Sequence, residues 1–313
     1  MTTRRAWACV AAVAAGGALA ACASHSPTQP NPPTPCTNTA PVILSITAQG
    51  IRSKEPADFA DVGESIPIAA IVQDAETPVD RLQLQWSATA GTIVGSGPNV
   101  TWQAPGSGTL STPIDVMVTL TVVESYTCGG QTATLQNTVS ATHTISLHDS
   151  LKEVGDMATQ FLLDFSDSSI TDVSYVMRNF EPTCYGTASE TLDVTDNRKK
   201  FTIQRFSVGP ATVTEPFGDT DCRVPGLLPG DTQHGAACVN NKVHWESTII
   251  QSGPYQGDQQ IADGIDWISA SYYAALKAWK LCDSRFTGTC TDTTNGMPCG
   301  AENFRAMVAG RIK

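Results

Sequence analysis

His244 and Glu246 lie two residues apart in a segment, 242–250, patterned as a strand, so both side chains leave the same face. An imidazole beside a carboxylate suits acid–base work or a share in a metal site. Val243, Trp245 and Ile249 fill the opposite face, which turns His244 and Glu246 toward solvent. The C-terminal half also concentrates aromatic residues, Tyr273 among them, and most of these must be core. If the sheet that carries them curves, however, one face lines a cavity. The candidate pocket residues are then Phe180, His244, Trp245, Glu246, Asp266, Trp267, Tyr272 and Trp279. No Gly-x-Ser-x-Gly elbow and no His-x-x-Glu zinc motif occurs. Asp164, Asp167 and Asp172 lack the spacing of a calcium loop and read as solvated helix ends. Asp219-Thr220-Asp221 reads as a turn. The sequence therefore assigns no catalytic residue, no metal site and no cofactor.

Ten cysteines form the other reactive set. Cys9 and Cys22 belong to the N-terminal segment. Cys36, Cys128, Cys184, Cys222, Cys238, Cys282, Cys290 and Cys299 remain. Their spacing is irregular and contains no Cys-x-x-Cys pair, which disfavours zinc. An even number in an exported chain reads as disulfides. Cys222 and Cys238 lie in a long Gly-, Pro- and Asp-rich stretch, 215–241, and are placed to clip its ends together. Cys290 and Cys299 flank Asn295-Gly296 and close a small loop. Spacing alone leaves the pairing of the last six cysteines open among 15 connectivities.

Export is argued from the N-terminus. Arg4 and Arg5 precede an apolar run from Ala6 to Ala21, the pattern of a signal peptide over 1–21. The junction Leu19-Ala20-Ala21-Cys22 resembles the lipobox of bacterial lipoproteins. That resemblance implies that the Cys22 thiol is diacylated, with palmitate-type chains, and that Cys22 becomes the mature N-terminus. The alternative is an ordinary cut that leaves a soluble, secreted protein. Residues 22–40 are polar and proline-rich, hence extended, and read as a tether. Ala23, where an aspartate is associated with inner-membrane retention, implies by the same resemblance the outer membrane of a Gram-negative cell. Losing Arg4 and Arg5 leaves 17 Lys and Arg against 30 acidic residues, a balance near −13. Such a surface repels phosphate backbones and argues against nucleic-acid partners.

These elements must be positioned by a fold. Residues 41–147 read as about seven strands: 42–48, 65–73, 82–88, 92–94, 100–102, 114–123 and 132–147, separated by Gly- and Pro-rich turns. Leu82, Leu84 and Trp86 alternate, as do Val116, Val118, Leu120 and Val122, and Trp86 and Trp102 read as core. Leu84-Gln85-Trp86-Ser87-Ala88, Val100-Thr101-Trp102-Gln103-Ala104-Pro105 and Val118-Thr119-Leu120-Thr121-Val122 together resemble bacterial Ig-like and PKD-type domains. The resemblance implies a β-sandwich. In such a sandwich Cys36 and Cys128 fall at the same end, so a Cys36–Cys128 bridge is expected.

At His148 the period changes to that of a helix, with Leu151, Val154, Ala158, Phe161, Leu162 and Phe165 on one face and Ser150 with Glu153 as a capping box. A second short helix fits 170–180. Strands follow at 201–208, 211–214, 242–250, 265–273 and 279–286, giving an α+β domain over 148–288 with two helices on a curved antiparallel sheet. Residues 289–313 form a disulfide loop and tail. The element order, with Asn197-Arg198-Lys199-Lys200-Phe201-Thr202-Ile203 and Trp279-Lys280-Leu281-Cys282-Asp283-Ser284-Arg285-Phe286, resembles the nuclear transport factor-like (SnoaL-like) cone. That family includes polyketide cyclases, steroid isomerases and plain binding modules.

Three functions fit. The first is an outer-membrane-anchored module for binding or surface organisation, with a pocket for a small apolar ligand or a face for a cell-surface protein or glycan. The second is an enzyme in the C-terminal domain, an isomerase, dehydratase or hydrolase. The third is a structural spacer. A pocket at 148–288, and the side chains at its base, decides among them.

Overall fold

The computed structural model describes residues 37–129, 132–214, 216–217, 222, 227, 235–294 and 296–299. Cys22, Cys36, the segment up to Cys36 and Asp219-Thr220-Asp221 lie outside the described residues. The described residues are mostly β-sheet with three α-helices.

Eight strands form two four-stranded sheets. One has the order β1 (Val42–Ala48), β3 (Ser65–Gln73), β6 (Asn99–Gln103), β5 (Thr92–Val94), and the other β2 (Phe59–Asp61), β8 (Thr134–His148), β7 (Ile114–Thr127), β4 (Gln83–Ala88). The alternation read from sequence is what packs them. Ile66, Ile68, Val100 and Trp102 of one sheet meet Val116, Val118, Ile145 and Leu147 of the other, all buried. Trp102 is sealed completely, with its indole N–H donating to Ala90 O at 2.8 Å, and Trp86 packs beside it, donating to Gly97 O at 2.9 Å. A side chain at Gly91 would run into Trp102 and Gln103 O, and its φ of +77° suits glycine. Strand β2 has no sequence signal: three residues long, it pairs parallel with the end of β8, Phe59 opposite Ser146.

Helix α1 (Ser150–Ser166) follows one residue after β8. Its cap is Asp149, one residue before the expected Ser150: the Asp149 carboxylate accepts from Lys152 N while Glu153 Oε1 accepts from Asp149 N. Val154, Ala158, Phe161 and Leu162 are buried, each large one worth about 1.5–3 kcal/mol. Leu151, expected on that face, is exposed.

Three helices stand where two were expected. Helix α2 spans only Val173–Val176, and α3 (Thr187–Lys200) occupies a stretch where no helix was expected. Strand β9 (Phe201–Val208) and β10 (Thr212–Val213) both pair with β11 (Ala236–Ile249), which pairs with β12 (Gln259–Tyr273) and that with β13 (Ala278–Asp292). The last three strands are longer than periodicity indicated. Residues 236–241, expected in a loop, are strand, and β13 runs past 288 to include Cys290.

Three disulfides fix the C-terminal part: Cys184–Cys282, Cys222–Cys238 and Cys290–Cys299. The last two are the expected clips. The first ties the segment before α3 to β13, where a register shift between Ser269 and Ala270 leaves Cys282 without a paired residue on β12. Cys128 is also disulfide-bonded.

The two sets of sheets meet through a polar and aromatic knot. Phe59 stacks on His148 at 4.9 Å and meets Phe217 and Tyr272 edge-on. His148 Nδ1 is hydrogen-bonded to Glu153 Oε2 at 2.8 Å, and its Nε2 lies 3.3 Å from the Tyr272 hydroxyl. Arg52 pairs with Glu55, Asp61 and Glu64, and Asp61 also accepts from Ser150 N at the start of α1.

Candidate functional site

One face of the five-stranded sheet is covered by α1 and α3, and between them lies a cavity of about 380 Å³. Helix α1 supplies Phe161, Leu162 and Phe165; β9 supplies Phe201, Ile203 and Phe206; β11 and β13 supply Trp245 and Phe286. The apolar part of the wall is thus mostly aromatic. Its polar part includes Glu190, Asp193, Asn197 and Arg198 of α3, Ser247 of β11, Asp266 of β12, Ser284 and Arg285 of β13, and hydroxyls from the end of α1, the segment after it and β9.

Local structure explains this lining. A strand alternates faces, so residues three apart, such as Ile203 and Phe206, should point opposite ways. A register shift between Glu246 and Ser247 sets Ile203 opposite Ser247 and Phe206 opposite Trp245, so both border the cavity. Phe286 leans on Trp245 at 4.6 Å and lies over Gly264 and Gly288, where any Cβ would strike its ring. Two glycines facing each other across β12 and β13 thereby make room for the wall.

Helix α3 is nearly all polar, and only Val194 of its apolar side chains is buried. Specific ties hold it instead. Glu190 Oε1 accepts from Ser284 Oγ at 3.1 Å, and Thr187 Oγ1 donates to Glu181 O at 2.7 Å. Arg198 donates to Asp164 O at 2.8 Å and to Phe165 O and Asp167 O, satisfying carbonyls at the C-terminus of α1. Burial lowers the Arg198 pKa from its ordinary value.

The sequence-named candidates divide into three groups. Trp245 and Asp266 border the cavity. Phe180, Tyr272 and Trp279 are core: Trp279 donates to Ser150 Oγ at 2.8 Å, and burial pushes the Tyr272 phenol up to about 12. His244, Glu246 and Trp267 stand apart from the cavity wall. His244 Nδ1 meets Asp263 Oδ1 at 2.8 Å, Glu246 pairs with Arg205 at 3.0 Å, and Trp267 donates to Thr287 Oγ1 at 3.1 Å. The hydrogen bond to Asp263 raises the His244 pKa. The parity argument for His244 and Glu246 therefore holds, and neither is a pocket residue.

Asp164 corrects the reading of a solvated acidic patch. It is buried, ion-paired with Arg178 and bonded to Gln160, whereas Asp167 and Asp172 cap short turns through Ser169 and Ser174. Among the described residues no group of three His, Cys, Asp or Glu is arranged to hold a metal ion, and no helix is long and apolar enough to cross a membrane. The contribution of α3 escaped the sequence because it has no apolar period. Phe201, Ile203 and Phe206 were visible as strand residues, but the register shift that aligns them was not.

Four lining residues carry a buried polar atom with no hydrogen-bond partner among the described residues: Trp245 Nε1, Ser247 Oγ, Asn197 Oδ1 and Arg198 Nε. Buried polar groups are ordinarily paired, so this concentration at one cavity is informative. No protein-family model, no curated protein and no solved structure matches the chain.

Proposed function

We propose that this protein is an exported, lipid-anchored binding protein whose C-terminal part holds a small, largely apolar ligand between α1, α3 and the sheet. The carrying observation is the cavity of about 380 Å³, within the usual range of small-ligand sites, with aromatic side chains from four different elements around it. The N-terminal half, two packed four-stranded sheets, fits an Ig-like or PKD-type domain that lifts the binding part off the membrane on the tether. Helices followed by a mainly antiparallel sheet fit the nuclear transport factor-like cone. A pure spacer has no use for such a cavity. An enzyme remains the second reading because Asp266, a buried acid, borders the cavity, whereas His244 and Glu246 do not.

The test is a thermal-shift screen of the full chain, disulfides formed, against lipids, sterols and aromatic compounds, with product analysis of every hit. Saturable stabilisation without product is expected. Turnover that vanishes in Asp266→Asn would put the enzyme first. A protein that responds to no compound would leave the spacer.

A further inference from the structure

We infer that the ligand is an uncharged molecule whose apolar body carries a hydrogen-bond acceptor oxygen, a ketone, ester or ether in chemical class. This rests on the binding reading above and adds the ligand's polarity to it. Trp245 and Ser247 stand two apart on β11, facing the same side, and their side chains are more than nine-tenths buried. Trp245 Nε1 and Ser247 Oγ have no hydrogen-bond partner among the described residues. An indole N–H can only donate, and a hydroxyl can donate as readily as accept. Arg198 Nε, also without a partner, adds a third donor, against a single lone acceptor at Asn197 Oδ1. The polar deficit of the wall is therefore mainly one of acceptors, and a bound molecule meets it with oxygen lone pairs.

Charge decides which oxygen. Glu190, Asp193 and Asp266 face Arg198 and Arg285 around the same cavity, an acidic excess. Arg198 is already committed to the carbonyls closing α1. A carboxylate ligand would meet the donors but be repelled by the acidic wall, and burying it would add a desolvation cost. An ammonium ligand would suit the carboxylates but leave the Trp245 N–H unpaired. A neutral oxygen satisfies both conditions.

A matched set of naphthalenes separates these cases on the full chain: 2-acetylnaphthalene, 2-naphthoate, naphthalen-2-ylmethylammonium and 2-ethylnaphthalene, titrated by calorimetry. The ketone is expected to bind most tightly, with the naphthoate weaker by about tenfold or more. Trp245→Phe and Ser247→Ala should each weaken the ketone by roughly three- to tenfold, the range of one neutral hydrogen bond. Both should cost 2-ethylnaphthalene less than they cost the ketone, and that difference separates the hydrogen bond from lost packing. Equal affinity for ketone and hydrocarbon, or tighter binding of either ion, overturns this inference while leaving the pocket intact. Equal loss of ketone and hydrocarbon in both variants also overturns it. No saturable response to any of the four overturns the binding reading together with it.

Discussion

Glu64→Gln should flatten the pH dependence of stability, because the wild-type protein holds three carboxylates against one guanidinium. Arg52 reaches Glu55 at 3.1 Å, Asp61 at 2.7 Å and Glu64 at 3.0 Å, and the Glu55 side chain is fully buried. Burial works against the charge on Arg52, but the hydrogen bonds it donates to these carboxylates and their negative charge outweigh that and hold it above its ordinary pKa, so it stays charged. One positive charge cannot neutralise three negative ones, and burial pushes Glu64 from 4.5 up to about 7, with Glu55 and Asp61 adding to the rise. A carboxyl whose folded-state pKa is raised contributes stability that is fully present below its unfolded value. That contribution is lost as pH climbs from about 4.5 to about 7. At 1.36 kcal/mol per unit the whole window is worth about 3 kcal/mol. Glutamine keeps an oxygen to accept from Asp61 N, as Glu64 Oε2 does at 3.0 Å, but never ionises. Urea unfolding of both proteins at pH 4.5, 6 and 8 checks this. The two should agree at pH 4.5, and the variant should be about 2–3 kcal/mol more stable at pH 8. Parallel pH profiles, or a variant weaker at pH 8, would refute the idea that Glu64 ionises against the fold.

Three further outcomes are expected. Cys22→Ser should move the protein from the membrane fraction to the soluble one, and a variant that survives a carbonate wash on membranes would place the anchor elsewhere. Non-reducing peptide mapping should join Cys128 to Cys36; recovery of Cys128 with any other cysteine would break the assigned pairing. Gly264→Ala places a Cβ within 2.4 Å of Thr287 O and 2.5 Å of the Phe286 ring, so it should cost about 1–3 kcal/mol in urea unfolding and displace a cavity wall; an unchanged midpoint would show that β12 and β13 can part there.

The sequence by itself determined the elements whose burial follows a short period. Strands β1, β3 and β5 begin and end where the sequence reading put them; β3 buries every second residue against the facing sheet, whereas β1 breaks its alternation at a register shift between Ile43 and Ser45. The Phe161–Phe165 stripe of α1 and two of the disulfide clips were equally visible, since helical period and short cysteine spacings are local facts. Tertiary structure alone decided the rest. Helix α3 has no apolar stripe and exists because Ser284, the Cys184–Cys282 bond and the carbonyls of α1 give its polar residues partners. β2 is three residues that become a strand only beside β8. The cavity depends on a register shift near Ser247 and on Gly264 facing Gly288, and neither register nor facing pairs can be read along a single strand. Local periodicity says which face of an element is buried; only packing says what it is buried against, and in this chain that difference separates His244 from Asp266.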